Sequence, residues 1–118
     1  MKSTGSDFLS LCKSLYFKKI TPINVLTSND ADSVALRAIV DEFFELNKVE
    51  SFCGFYMEYQ YCVNLITAHF VFERKEKVSK QYLNDAIEII HRYSTTPLNV
   101  QLAKEELQWL EANKNILN

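Results

Sequence analysis

The sequence has only two glycines, Gly5 and Gly54, and two prolines, Pro22 and Pro97, in 118 residues. So little turn chemistry argues against a fold of many short strands and in favour of helices. Two isolated glycines also exclude a phosphate-cradling G-x-x-x-x-G-K, a dinucleotide-binding G-x-G-x-x-G and a G-x-S-x-G nucleophile elbow. No run of about 18 apolar residues occurs, so no segment is predicted to cross a membrane. Asp7 and Lys13 interrupt the stretch that a signal peptide would need apolar, and a cytoplasmic location is expected. The cysteines Cys12, Cys53 and Cys62 are odd in number and form no C-x-x-C. Free thiols in apolar surroundings are expected. Charge of one sign is lacking too: 13 basic residues face 15 acidic ones, for a net charge of -2. The chain therefore has no general attraction to nucleic acid or anionic membranes.

What is present is hydrophobic material, 47% of residues with 13% aromatic, ample for the core of one domain spanning residues 1–118. The chain is organised around residues 55–73, FYMEYQYCVNLITAHFVFE, which lack Gly, Pro and nearly all charge. Met57, Tyr59, Tyr61, Val63 and Leu65 alternate with more polar residues, as in a strand. The alternation breaks at Leu65-Ile66, and no turn signal follows. Read as a helix, Gln60, Asn64, Thr67, Val71 and Arg74 form one narrow polar stripe, and all else is apolar. Such a helix belongs in the middle of a bundle. The expected fold is all-α: a single compact bundle of about five helices, with antiparallel helical hairpins around a buried central helix. The alternative is α+β, with residues 55–72 forming strands.

The first helix is expected to begin near Ser6 or Asp7 and to end at Thr21-Pro22. Ile23, Val25 and Leu26 follow as a loop or single turn. Ser28, Asn29 and Asp30 all qualify to cap a second helix over residues 31–46, with Ala35, Leu36, Ile39, Val40, Phe43 and Phe44 on its core face. Its other side carries Asp30, Arg37, Asp41, Glu45 and Lys48, with Glu42 beside them, the most acidic surface in the chain. Residues 47–52 read as a break. Residues 73–77 read as a solvated charge run, after which Ser79 caps a fourth helix containing Leu83, Ala86, Ile87 and Ile90. Thr96 as cap and Pro97 at the first helical position predict the start of a fifth. Leu98, Leu102, Leu107, Trp109 and Leu110 are expected inside, and residues 113–118 are expected to fray. Ala86 and the later Pro97 resemble a tetratricopeptide-type helical hairpin over less than half the chain. The Trp, Leu-Gly and Tyr pattern of that repeat is absent, as is a second copy about 34 residues away.

Glu88 and His91 form an E-x-x-H, the spacing by which di-iron helical bundles present two ligands from one face. Such sites need two of these motifs, and the only other histidine, His69, has Ile66 three positions before it. Glu58, Cys62, His69 and Glu73 share a side of the central helix, but Cys62 and His69 lie two turns apart, about 10 Å along the axis. His69 therefore reads as a core histidine bonded to a neighbour. No metal, cofactor or catalytic residue is expected. Lys18, Lys19, Arg74, Lys75 and Lys77 are too diluted by Glu73 and Glu76 to predict nucleic-acid binding. The tyrosines exceed what one core usually hides, and tyrosine is enriched at interfaces. These features point to a non-catalytic protein-binding module using Arg37, Asp41, Glu42, Glu45, Tyr56, Tyr59 and Tyr61. The specific form expected is a cytosolic bacterial immunity or antitoxin-type protein that neutralises a toxin, for example a nuclease. The alternative is a helical scaffold, adaptor or homo-oligomeric regulator.

Overall fold

A computed structural model describes residues 5–117, and within them the chain is helical with no strand. The first helix, α1 (Gly5–Phe17), buries Phe8, Cys12 and Leu15. Ser6 and Asp7 lie in its first turn rather than ahead of it. It stops before Thr21-Pro22, because Lys19 turns left-handed at φ 61°. The amide of Ile20 then donates to the Leu15 carbonyl and that of Lys19 to the Tyr16 carbonyl. These are the two bonds of a Schellman cap, a motif usually built on glycine. Lys19→Gly is expected to stabilise the chain by up to about 1 kcal/mol, since a Cβ is disfavoured there. A urea midpoint that falls for this variant would contradict the assignment.

The expected connector is a single turn, α2 (Pro22–Val25), which Pro22 opens rather than merely ending the helix before it. Asp30 caps α3 (Ala31–Glu45) by accepting a hydrogen bond from the Asp32 amide at 2.9 Å. Leu36, Ile39, Val40 and Phe43 of α3 are buried, and Asn47 at φ 59° repeats the cap geometry of Lys19. The predicted break at 47–52 is instead a short helix, α4 (Val49–Cys53). Its Phe52 is fully buried, with the rings of Phe8, Phe43, Phe44 and Phe55 around it at centroid distances of 5.3–6.0 Å.

The predicted helix over residues 55–73 is shorter than expected. A 3-10 turn at Gly54–Met57 gives way to an extended Glu58, and then Tyr61 and Cys62 both turn left-handed, at φ 55° and 58°. Only α5 (Val63–Glu73) is α-helical. The Asn64 amide donates to the Glu58 carbonyl at 2.9 Å and closes the loop. All ten residues from Val63 to Phe72 are buried, so the helix does occupy the middle of the bundle. Its polar stripe is satisfied internally. Thr67 Oγ1 donates to the Val63 carbonyl, and Asn64 Oδ1 accepts from the Tyr93 hydroxyl at 2.7 Å. Each buried aliphatic or aromatic side chain here contributes about 1.5–3 kcal/mol.

Ser79 caps α6 (Lys80–Ser94) through the Tyr82 amide, as read from the sequence. The next helix, α7 (Val100–Ala112), starts later than Pro97, because Asn99 accepts from the Leu102 amide at 3.0 Å and takes the cap. Leu98 and Leu107 are consequently exposed rather than inside, and Trp109 is only half-buried. In place of fraying, α8 (Lys114–Leu117) adds one more short helix. Five of these eight helices have eleven residues or more. They form an all-α bundle in which α5 packs chiefly on α6 and α6 on α7. No helix among the described residues is long and apolar enough to cross a membrane.

Candidate functional site

The residues singled out in the sequence do not assemble into one surface. On α3, Arg37 is turned inward to donate to the Val25 carbonyl at 2.8 Å, holding α2 in place. Asp41 accepts from Arg74 Nη2 at 2.6 Å. Arg74 itself lies over the Phe44 and Phe70 rings, so this pair ties the end of α5 to α3. Lys18 neutralises Asp30 and Asp32, and its hydrogen bonds hold both carboxyls below their ordinary range. Two of the four carboxylates on this surface, Asp30 and Asp41, are thus engaged. Glu42 and Glu45 remain without an ion pair among the described residues.

The tyrosines separate in the same way. The Tyr56 hydroxyl donates to the Tyr82 carbonyl at 2.9 Å, and burial pushes its phenol up. It is a structural tyrosine. Tyr59 is 62% exposed and lies beside Tyr93, Arg92 and Thr96 in a shallow depression of about 240 Å³. Tyr61 forms an aromatic group with Tyr16 and Phe17, at 5.5 and 5.7 Å between ring centroids, and Lys13 Nζ sits 5.5 Å from its ring. Glu88 and His91 are exposed, with Glu88 bonded to Arg92. No cluster of three or more metal-ligating side chains occurs among the described residues.

Tyr61 and Tyr59 mark a face where the 54–62 segment meets the 95–100 loop. A cleft of about 430 Å³ opens there, between the end of α1, α2, the left-handed turn and the start of α7. Ile20, Pro22, Ile66 and Leu102 supply apolar walls, Tyr16, Phe17 and Tyr61 the lips, and Thr21, Asn99 and Gln101 polar groups. Lys19, Tyr61 and Cys62 all line it, so three of the four non-glycine residues with left-handed backbone among the described residues stand around one cleft. Strained backbone of this kind collects at functional sites. Cys62 is the least buried of the three thiols. Burial pushes it up to about 11, and the nearby Glu106 carboxylate adds to the rise, so it is an uncharged thiol at neutral pH.

One turn along the α5–α7 interface from Ile66 and Leu102, His69 and Glu106 meet, with Nε2 2.6 Å from Oε1. Both are fully buried. Trp109 packs edge-on against the His69 ring at 4.8 Å. The second nitrogen of His69 and the second oxygen of Glu106 have no partner. The sequence reading placed His69 correctly as a bonded core histidine but missed Glu106. The signal was there: Leu102, Glu106 and Trp109 follow at steps of four and three, which puts the carboxylate on the core stripe. The next acid, Glu105, accepts from the Thr21 hydroxyl at 2.6 Å. Neighbouring carboxylates therefore anchor α7 to α5 and to α2. No family model matches the chain, and neither a curated protein nor a solved structure matches it.

Proposed function

We propose that the chain is a non-catalytic protein-binding module. The observation that carries this reading is apolar exposure beside the cleft: Leu98 is 92% exposed and Val100 77%, with the exposed Tyr59 beside the same loop at Thr96. Asn99, between those two residues, lines the same cleft as Tyr61, and Thr96 shares a depression with Tyr59. Grouped apolar and aromatic exposure of this kind marks interaction surfaces.

Within that class we favour a cytoplasmic bacterial immunity or antitoxin-type protein that neutralises a toxin domain by covering it. Its support is the chain's small size and its net charge of -2, with Glu42 and Glu45 free to steer a basic partner. The test is purification of the native complex from the source cell, repeated with Leu98→Asp and with Glu42→Lys/Glu45→Lys. A stoichiometric toxic partner is expected with the parent chain. Leu98→Asp should reduce its recovery by roughly tenfold or more, as loss of a hot spot does. The double reversal should slow association and flatten its dependence on salt. Recovery unchanged by either variant refutes the assignment of the surface. The second reading, a homo-oligomeric scaffold, is favoured by the same exposed residues. It predicts a dimer by light scattering that Leu98→Asp dissociates.

A further inference from the structure

The depression beside Tyr59 contains a buried donor that the chain itself does not use. Asn64 lines it with Tyr59, Ile89, Arg92, Tyr93 and Thr96, and only 4% of Asn64 is exposed. The left-handed turn at Tyr61 and Cys62, closed by the bond from the Asn64 backbone amide to the Glu58 carbonyl, brings its side chain to the same depression as Tyr59. The side-chain orientation is fixed. Oδ1 accepts from the Leu65 amide at 3.0 Å and from the Tyr93 hydroxyl at 2.7 Å, and of the two amide ends only the oxygen can accept from a backbone N–H. Nδ2 has no partner among the described residues, and it is not one of the orphaned atoms sealed from solvent. It therefore opens on the depression. Donors outnumber acceptors there: both lone pairs of Oδ1 are spent, no carboxylate stands among the described lining residues, and Arg92 carries further N–H groups. Arg92 is paired with Glu88 at 3.0 Å, so its charge is offset and no anion is demanded. The occupant that fits brings neutral acceptors, few donors and an apolar body for two tyrosine rings and Ile89. Proline has that chemistry, because its carbonyl is free in an extended segment and its ring replaces an N–H that would otherwise lose water unpaired. We propose that this depression takes a proline of a polyproline-type segment of a partner protein, its ring against Tyr59 and Tyr93 and a backbone carbonyl accepting from Asn64 Nδ2.

This rests on the protein-binding reading and names the chemistry of what is bound. Hexaproline, acetylated and amidated, is titrated into the purified chain while the Asn64 side-chain NH2 signals and the Tyr59 ring are followed by NMR. Saturation that moves both is expected. A Gly-Ser hexapeptide capped in the same way has the same carbonyls but retains its N–H groups, and should bind roughly tenfold more weakly. Asn64→Asp preserves the acceptor for Leu65 and Tyr93 but turns the free donor into an acceptor, so affinity for hexaproline should fall roughly tenfold or more. Tyr59→Ala, at a 62% exposed position, should lower it roughly three- to tenfold and leave the urea midpoint in place. The second variant decides the matter if the first fails to fold. No saturation by hexaproline at millimolar concentration overturns the proposal. So does equal affinity for the Gly-Ser peptide, or saturation that leaves the Asn64 signals unmoved. Acetate offers an acceptor without a proline; if it moves the Asn64 signals and hexaproline does not, the site takes an anion and the proposal fails. Hexaproline that does not bind, beside a native partner whose recovery still depends on Leu98, overturns this inference and leaves the protein-binding reading standing.

Discussion

Glu106→Ala is expected to cost about 3–5 kcal/mol, the usual penalty for removing one member of a buried polar pair. The reason is local. His69 and Glu106 are both without solvent exposure, and each already leaves one polar atom unpartnered. Deleting the carboxylate would strand the whole imidazole inside the bundle, beside a cavity between α5 and α7. Glu106→Gln keeps an acceptor for the ring N–H and should cost less, about 1.5–3 kcal/mol for the lost charge assistance. The decisive comparison is the double variant His69→Leu/Glu106→Leu. Removing both polar groups leaves nothing to satisfy, and stability should recover most of the way. Urea unfolding of the four proteins measures this. A double variant no more stable than Glu106→Ala would show that the site is limited by shape rather than by polarity.

Phe52→Ala should be about as damaging, again about 3–5 kcal/mol. The ring is fully buried and is the hub on which α1, α3 and α4 converge, touching Phe8, Phe43, Phe44 and Phe55. Those four rings come from three segments, α1, α3 and the turn after α4, and none can close the gap without leaving its own packing. Phe17→Ala is the internal control. It removes an equally large ring, but one that is 65% exposed, so a change within about 0.5 kcal/mol is expected. Similar melting shifts for the two variants would contradict the packing described above.

Much of the fold was legible because it is written in local rules. Asp30 and Ser79 cap their helices through side chains that the sequence displays, and the unbroken apolar character of residues 63–72 marks the central helix. Other features are decided by competition between local and distant terms. Pro97 offered a helix start, but Asn99 gained the cap bond and the helix began three residues beyond the proline. Tyr61 and Cys62 carry no hint of left-handed backbone, and neither is a residue type that favours it. Packing imposes that conformation. Phe52 looked like part of a break because a five-residue helix has too few positions to show a period. Of the candidate surface residues, Tyr59 is exposed and Tyr61 lines the cleft, whereas Tyr56 is bonded inside. The cleft itself joins residues 16–22, 61–66 and 99–102, and no pattern in one dimension announces that meeting.

The two anchors of α7 also bear on how the chain is born. Thr21 waits for Glu105, 84 residues later, and His69 waits for Glu106, 37 residues later. A ribosome delivers the threonine and the histidine well before either carboxylate. Until α7 emerges, the side of α5 that it will cover faces solvent or a chaperone, with an imidazole among the exposed apolar groups. Synthesis of α7 beyond Glu106 is thus the step that covers this side of α5 and hides its apolar groups.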